Sequence, residues 1–174
     1  MTYTFLRAQG IEVGTSLVEK EKLAIAKETI EQAGNKLLLP VDHVVAKNFS
    51  PETEQHIVDG INESIPLNMK ALDIGPATTD LYRKAIAEAA FIVWNGPMGV
   101  FEIPQFAHGT LEIAKAVSKS DAVRIVGGGD SEKAIRMAEV KTGITHISTR
   151  GGASLDFLAG RILPGVEVLA DKAL

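Results

Sequence analysis

From Ala71 onward the chain repeats one pattern four times: a short apolar run, a glycine-bearing turn, then an amphipathic segment. Ala71-Leu72-Asp73-Ile74 passes through Gly75-Pro76 into a helix capped near Thr78 or Thr79 and running to Ala90. Phe91-Ile92-Val93-Trp94 passes through Asn95-Gly96-Pro97-Met98-Gly99 and a longer loop into a helix around Ala107 to Ser118. Val123-Arg124-Ile125-Val126 leads through Gly127-Gly128-Gly129 into a helix starting at Asp130-Ser131. Ile144-Thr145-His146-Ile147 leads through Arg150-Gly151-Gly152 into a helix near Ala153 to Leu158. Apolar strands joined by helical crossovers make a parallel sheet covered on both faces. The predicted fold is α/β: a doubly wound, mainly parallel sheet with helices on both faces, Rossmann-like. Ligands in that architecture bind beyond the carboxyl ends of the strands, which puts the glycine-rich turns on one rim.

The first half of the chain is less regular. Leu23, Ala26, Ile30 and Ala33 have helical spacing within Glu19 to Ala33, and Gly34-Asn35 follows as a stop. Leu37-Leu38-Leu39 reads as a short buried strand ending at Pro40, which Val44-Val45-Ala46 prolongs or pairs with. Asn48 to Met69, punctuated by Ser50-Pro51, Asp59-Gly60 and Ile65-Pro66, reads as a surface excursion with short elements. At 174 residues and 45% hydrophobic content the chain suffices for one domain with one core.

Composition then removes several functions. Eighteen basic against 22 acidic residues, without long runs of one sign, leave no basic footprint for nucleic acid. There is no cysteine, hence no disulfide framework, thiolate metal site or thiol nucleophile. The four histidines, His43, His56, His108 and His146, show no metal-ligand spacing. No apolar run approaches the roughly 18 residues of a membrane span, and Met1 to Leu6 lack the basic-then-apolar order of a signal peptide. The expectation is a cytoplasmic protein with neither nucleic-acid nor membrane partners.

Three segments carry chemistry. Val126-Gly127-Gly128-Gly129-Asp130-Ser131 stands at a strand-to-helix junction, where glycines let backbone N–H groups approach a phosphate and the helix amino terminus adds unpaired donors. Asp130 there can cap the helix or hold one position of a Mg²⁺, and the Ser131 hydroxyl can donate to phosphate. The run has neither the Gly-Lys-Ser/Thr of a Walker loop nor the last glycine of Gly-x-Gly-x-x-Gly, where Glu132 stands. Trp94 to Glu102 offers the Asn95 amide at a strand end, Val100 as an apolar wall and Glu102 as an acceptor for ribose hydroxyls, while Trp94 and Phe101 read as core plugs. Ser148-Thr149-Arg150-Gly151-Gly152-Ala153-Ser154 supplies a second helix amino terminus on the same rim. Two such ends converging suit a phosphoryl group in transit.

Taken together, Tyr3-Thr4-Phe5-Leu6, Leu39-Pro40-Val41-Asp42, Leu72-Asp73-Ile74-Gly75-Pro76, Trp94 to Glu102, Gly127 to Ser131 and Ser148-Thr149-x-Gly151-Gly152-Ala153-Ser154 resemble the phosphoglycerate kinase family, in one order from Thr2 to Leu169. The resemblance implies that residues 1–174 are the nucleotide-binding, carboxy-terminal domain of a two-domain enzyme, truncated at its amino-terminal side. The domain for 3-phosphoglycerate, with the phosphate-binding lysines and the Gly-Gly turn before Met1, would be absent. The implied reaction is reversible phosphoryl transfer between 1,3-bisphosphoglycerate and ADP, giving 3-phosphoglycerate and ATP, with Mg²⁺ accompanying the nucleotide. Asn95, Gly128, Gly129, Asp130 and Ser131 would lie along the phosphates, with Asp130 toward the metal. Leu72, Pro97 and Val100 would line the adenine and ribose slot, Glu102 would accept from the ribose, and Gly128, Gly151 and Gly152 would be the catalytic backbone. Arg150 departs from the family, standing where a glycine is usual. A full-length enzyme would be monomeric, and this chain alone inactive and open to self-association through an uncovered edge. A stand-alone, non-catalytic nucleotide-binding module is the alternative. A dinucleotide-dependent dehydrogenase fits the strand–helix pattern, but the chain lacks the fingerprint turn and its following acidic residue.

Overall fold

The computed structural model describes residues 1–60, 63–148 and 151–169, so Thr149 and Arg150, with the departure they carry, lie outside the described residues. Two helices open the chain, α1 (Thr2–Ala8) and α2 (Leu23–Ala33). Three strands follow, β1 (Asp42–Ala46), β2 (Gln55–Asp59) and β3 (Lys70–Ile74), which form an antiparallel sheet in the order β2-β1-β3. Then come α3 (Pro76–Glu88), β4 (Phe91–Asn95), α4 (His108–Lys119), β5 (Val123–Gly127), α5 (Gly129–Met137), β6 (His146–Ser148), α6 (Gly151–Leu158) and the short α7 (Pro164–Glu167). The second sheet, β4-β5-β6, is parallel throughout, so the expected α/β class holds. No helix among the described residues is long and apolar enough to cross a membrane.

Helix α4 shows how the core forms. Gly109, Thr110, Ile113, Ala114 and Val117 recur at three- and four-residue spacing and are all buried, giving a helical stripe that faces the parallel sheet. Ile113 and Val117 meet Trp94, Phe101, Val126 and Ile135 in one cluster, each contributing about 1.5–3 kcal/mol by burial. Trp94 and Phe101 are therefore the core plugs their sequence context predicts. A second cluster, with Leu6, Val13, Val45, Val58 and Ile65, lies under the antiparallel sheet.

The first of the four repeating units corrects the sequence reading. β3 belongs to the antiparallel sheet and pairs with β1, so the parallel sheet has three strands, and the Gly75-Pro76 turn leaves the rim. An apolar run specifies burial, not a partner, and here the Val100 N–H donates to the Leu72 carbonyl at 2.7 Å, docking a loop on β3 rather than another strand. Leu37-Leu38-Leu39 is also not a strand, and pairing begins only at Asp42. Pro40 lacks the N–H that a ladder needs. Helix α3 starts at Pro76, before Thr78 and Thr79, because its first-turn amides are satisfied by Asp42 of β1.

The other face of the parallel sheet stays partly open. Phe91, Val93 and Val123 are exposed there, and Phe91 and Val93, with Ile125 of the sheet and Phe157 and Leu158 of α6, border a groove of about 670 Å³.

Two buried groups with displaced pKa values sit at the β1–β3 pair. His43 is 1% exposed, with neither ring nitrogen hydrogen-bonded and the Tyr3 ring 5.7 Å away, and burial pushes its pKa below the usual value. Asp73, equally buried, is pushed up to about 7 by desolvation, against N–H bonds from Gly109 and Ile74 that favour the carboxylate. The unfolded chain takes up the His43 proton first, so stability from this group is lost as pH falls below about 6.5. For Asp73 the folded state holds the extra proton, so stability falls as pH rises from about 4 to 7. The slopes oppose. His43→Leu is expected to leave urea stability falling between pH 5 and 7, and Asp73→Asn to leave it rising; parallel slopes in the two variants would refute the assignment.

Candidate functional site

Parallel register aligns the ends of three strands. Asn95 pairs with Gly127, and Gly127 with Ser148, so the last residues of β4, β5 and β6 form one row, followed by Gly128 ahead of α5 and by α6 from Gly151. The described residues of three turns singled out in the sequence, at Asn95, Gly127-Gly128 and Gly151-Gly152, therefore do share a rim.

Gly128 adopts φ +92°, a conformation that side chains rarely take, and its N–H donates to the Ser148 carbonyl at 2.9 Å. A Cβ on Gly128 would lie 3.1 Å from Asn95 Oδ1 and 3.9 Å from Gly151 Cα. A Cβ on Gly151 would lie 2.9 Å from Gly128 Cα and 3.1 Å from Asn95 Oδ1. The Asn95 amide in turn points at the Gly151 carbonyl at 3.5 Å. Asn95, Gly128 and Gly151 are thus brought into van der Waals contact from three elements. Beside them, a Cβ on Gly129 or Gly152 would meet nothing within 4 Å. The result is a tight seam with open space at the amino ends of α5 and α6, where helix dipoles and unpaired N–H groups favour an anion.

Asp130 is exposed in the first turn of α5, while Gly128 holds the cap position, so the carboxylate is not the cap that sequence alone allowed. Among the described residues no group of three or more His, Asp or Glu side chains could hold a metal by itself. A single carboxylate beside an anion cradle nevertheless fits Mg²⁺, which takes one or two carboxylates, waters and the ligand's phosphate oxygens. The Ser131 hydroxyl is buried and accepts the Gly96 N–H at 2.7 Å, so it braces the β4 turn against α5. Trp94 Nε1 donates to the Gly96 carbonyl at 2.7 Å and secures the same turn.

The apolar wall is built in depth. Pro97 and Val100 are half-buried, and Val100 packs on Leu72, which is itself 3% exposed among Ala46 and Phe106. Leu72 therefore supports the wall from behind. Glu102 is exposed with Lys133 Nζ 4.0 Å away, and Lys133 also lies 5.2 Å from the Phe101 ring centroid. Lys133 was not singled out in the sequence, although its i+3 spacing from Asp130 puts both on one side of α5.

A family model for phosphoglycerate kinase matches residues 1–161. The phosphoglycerate kinase of Lactobacillus delbrueckii subsp. lactis is 50% identical over 173 residues, which are 99% of this chain and 42% of that protein. That of Solibacter usitatus is 52% identical over 169 residues, 97% of this chain and 42% of the relative. Among solved structures, phosphoglycerate kinase from Coxiella burnetii superimposes with a TM-score of 0.88 at 42% identity, covering 95% of this chain and 43% of that one. The enzyme from Pyrococcus horikoshii OT3 gives 0.83 at 35% identity, with 95% and 42% covered. The chain spans less than half the length of these relatives.

Proposed function

Because the chain belongs to the phosphoglycerate kinase family, we propose that it supplies the Mg-nucleotide half of an enzyme that moves a phosphoryl group reversibly between 1,3-bisphosphoglycerate and ADP. The observation that carries this reading is the Asn95–Gly128–Gly151 seam, with open space at Gly129 and Gly152 between two helix amino termini. ADP or ATP lies with its phosphates along the seam and its nucleoside against Pro97 and Val100, within reach of Glu102. The attacking oxygen in this transfer is already anionic, so no general base is needed, and positioning with charge stabilisation carries the rate. Gly128 and Gly151 let the two helix ends close on each other, and the open space at Gly129 and Gly152 leaves room for the phosphoryl group to approach backbone donors there. When bound, Mg²⁺ neutralises phosphate oxygens, and Asp130 is the residue here that would hold it. 3-Phosphoglycerate binds outside this chain, in the part of the relatives that the match does not cover, in a monomeric, cytoplasmic enzyme. This reading makes the isolated chain a binding module without turnover.

Calorimetry with Mg-ADP tests it. Measurable affinity without kinase turnover is expected, and Asp130→Ala is expected to weaken Mg-ADP by about tenfold while leaving metal-free ADP unchanged. No binding of Mg-ADP, or equal loss for both forms, would exclude the metal-side role. The open sheet face adds a separate expectation. Among the described residues β4 is an edge strand, and it carries exposed Phe91 and Val93; such an edge templates association. Sedimentation should show concentration-dependent self-association that Val93→Lys reduces; a monomer at all concentrations would contradict it.

A further inference from the structure

The loop after β4 spends its backbone donors in an unusual direction. The Met98 and Gly99 N–H groups both donate to Thr110 Oγ1, at 3.0 and 3.2 Å, and the Val100 N–H donates to the Leu72 carbonyl at 2.7 Å. Three consecutive amides of this kind could have formed an anion-binding nest. Here all three point back into the protein, so the loop meets a ligand with the surfaces of Pro97 and Val100, not with N–H groups.

Asp73 locks this arrangement from below. Its Oδ2 accepts the Gly109 N–H at 2.7 Å in the first turn of α4, one residue before Thr110, and Oδ1 accepts the Ile74 N–H at 2.9 Å. No side chain of α4's own cap position does this work. The same carboxylate and the Leu72 carbonyl occupy the space a side chain at Gly99 would need, and the Asp73 carboxylate with Ile74 does so at Gly109, so loop, strand and helix close on one another without slack. Thr110 and Asp73 are both fully buried, so neither can touch a ligand. A buried carboxylate is costly to keep, and a purely structural link between β3 and α4 is available more cheaply from apolar packing.

We propose that Asp73 and Thr110 are positioning residues for nucleoside recognition, holding the Gly96–Val100 loop in the shape that presents Pro97 and Val100 as a wall. The proposal rests on the nucleotide reading above. It separates two functions within the site: the seam at Asn95, Gly128 and Gly151 takes phosphate, and the clamped loop takes the nucleoside.

The test uses the full chain with Mg-ADP, adenosine and pyrophosphate as separate ligands, and amide exchange at Met98, Gly99 and Gly109 as a second readout. Thr110→Val keeps the shape and removes the acceptor. It should weaken adenosine and Mg-ADP by about tenfold or more, leave pyrophosphate within about twofold, and speed exchange at Met98 and Gly99. Thr110→Ser should restore both. Asp73→Asn, which retains one acceptor oxygen, provides a second variant, with faster exchange at Gly109 and the same selective loss of adenosine. Equal losses for adenosine and pyrophosphate would reduce the clamp to general stability and overturn the proposal. Unchanged Mg-ADP affinity in both variants would overturn it while leaving the nucleotide reading intact. A wild-type chain that binds pyrophosphate but no nucleotide would remove the nucleotide reading, and the proposal with it.

Discussion

Gly151→Ala is expected to lower the affinity for pyrophosphate and Mg-ADP by about a hundredfold and to cost about 1–3 kcal/mol of stability. The added Cβ would meet Gly128 Cα at 2.9 Å and Gly128 N at 3.2 Å, and these are backbone atoms that cannot swing aside. Relief requires the amino ends of α5 and α6 to part, which moves the two sets of N–H groups off a common target. Gly152→Ala is the control, since its Cβ would meet nothing within 4 Å. That variant should keep or slightly raise the melting temperature, because alanine is the better helix residue. A loss of Mg-ADP affinity in Gly152→Ala without loss of stability would mark the open space as occupied by ligand. Wild-type affinity in Gly151→Ala would end the argument that the seam sets phosphate binding.

Asp42→Ala is expected to cost about 2–4 kcal/mol, a large share of the roughly 5–15 kcal/mol that holds a domain of this kind together. The carboxylate is buried and accepts the Ala77 N–H at 2.9 Å, the Thr78 N–H at 2.8 Å and the Thr78 hydroxyl at 2.6 Å. The Thr78 oxygen in turn accepts the N–H groups of Val41 and Asp42. Helix α3 receives no side-chain bond from its own cap residue, Gly75, so β1 supplies the cap from outside. Alanine at 42 takes the carboxylate acceptor from the buried Thr78 N–H and hydroxyl and from the part-buried Ala77 N–H. Urea denaturation measures the loss, and amide exchange should rise first at Ala77 and Thr78. A change below about 0.5 kcal/mol would show that water replaces the carboxylate.

Both predictions concern contacts that a linear reading reaches to different depths. The seam was partly legible, because glycines at strand ends announce close backbone approach wherever they occur. That Gly128 and Gly151 would touch, with Asn95 against both, needed the parallel register of β4, β5 and β6. The caps were not legible. Asp42 stands 36 residues from Thr78, and Asp73 stands 36 from Gly109, and no local pattern links such positions. Ser131 reads in sequence as a phosphate donor because it follows glycines at a helix start, yet its side chain falls on the inner face of α5.

The sequence by itself determined where the chain turns and where most helices run, because glycine tolerance and 3.6-residue periodicity act within a few residues of their cause. It also determined the family, since six motifs occur in one order. Only the tertiary structure decided which strands pair. β3 carries the same apolar signature as β4 and β5, but it joins β1 in an antiparallel sheet and takes the 96–100 loop on Leu72. A strand's composition encodes how deeply it is buried, while its partner is set by which hydrogen-bonding edge remains free when the rest of the chain has packed.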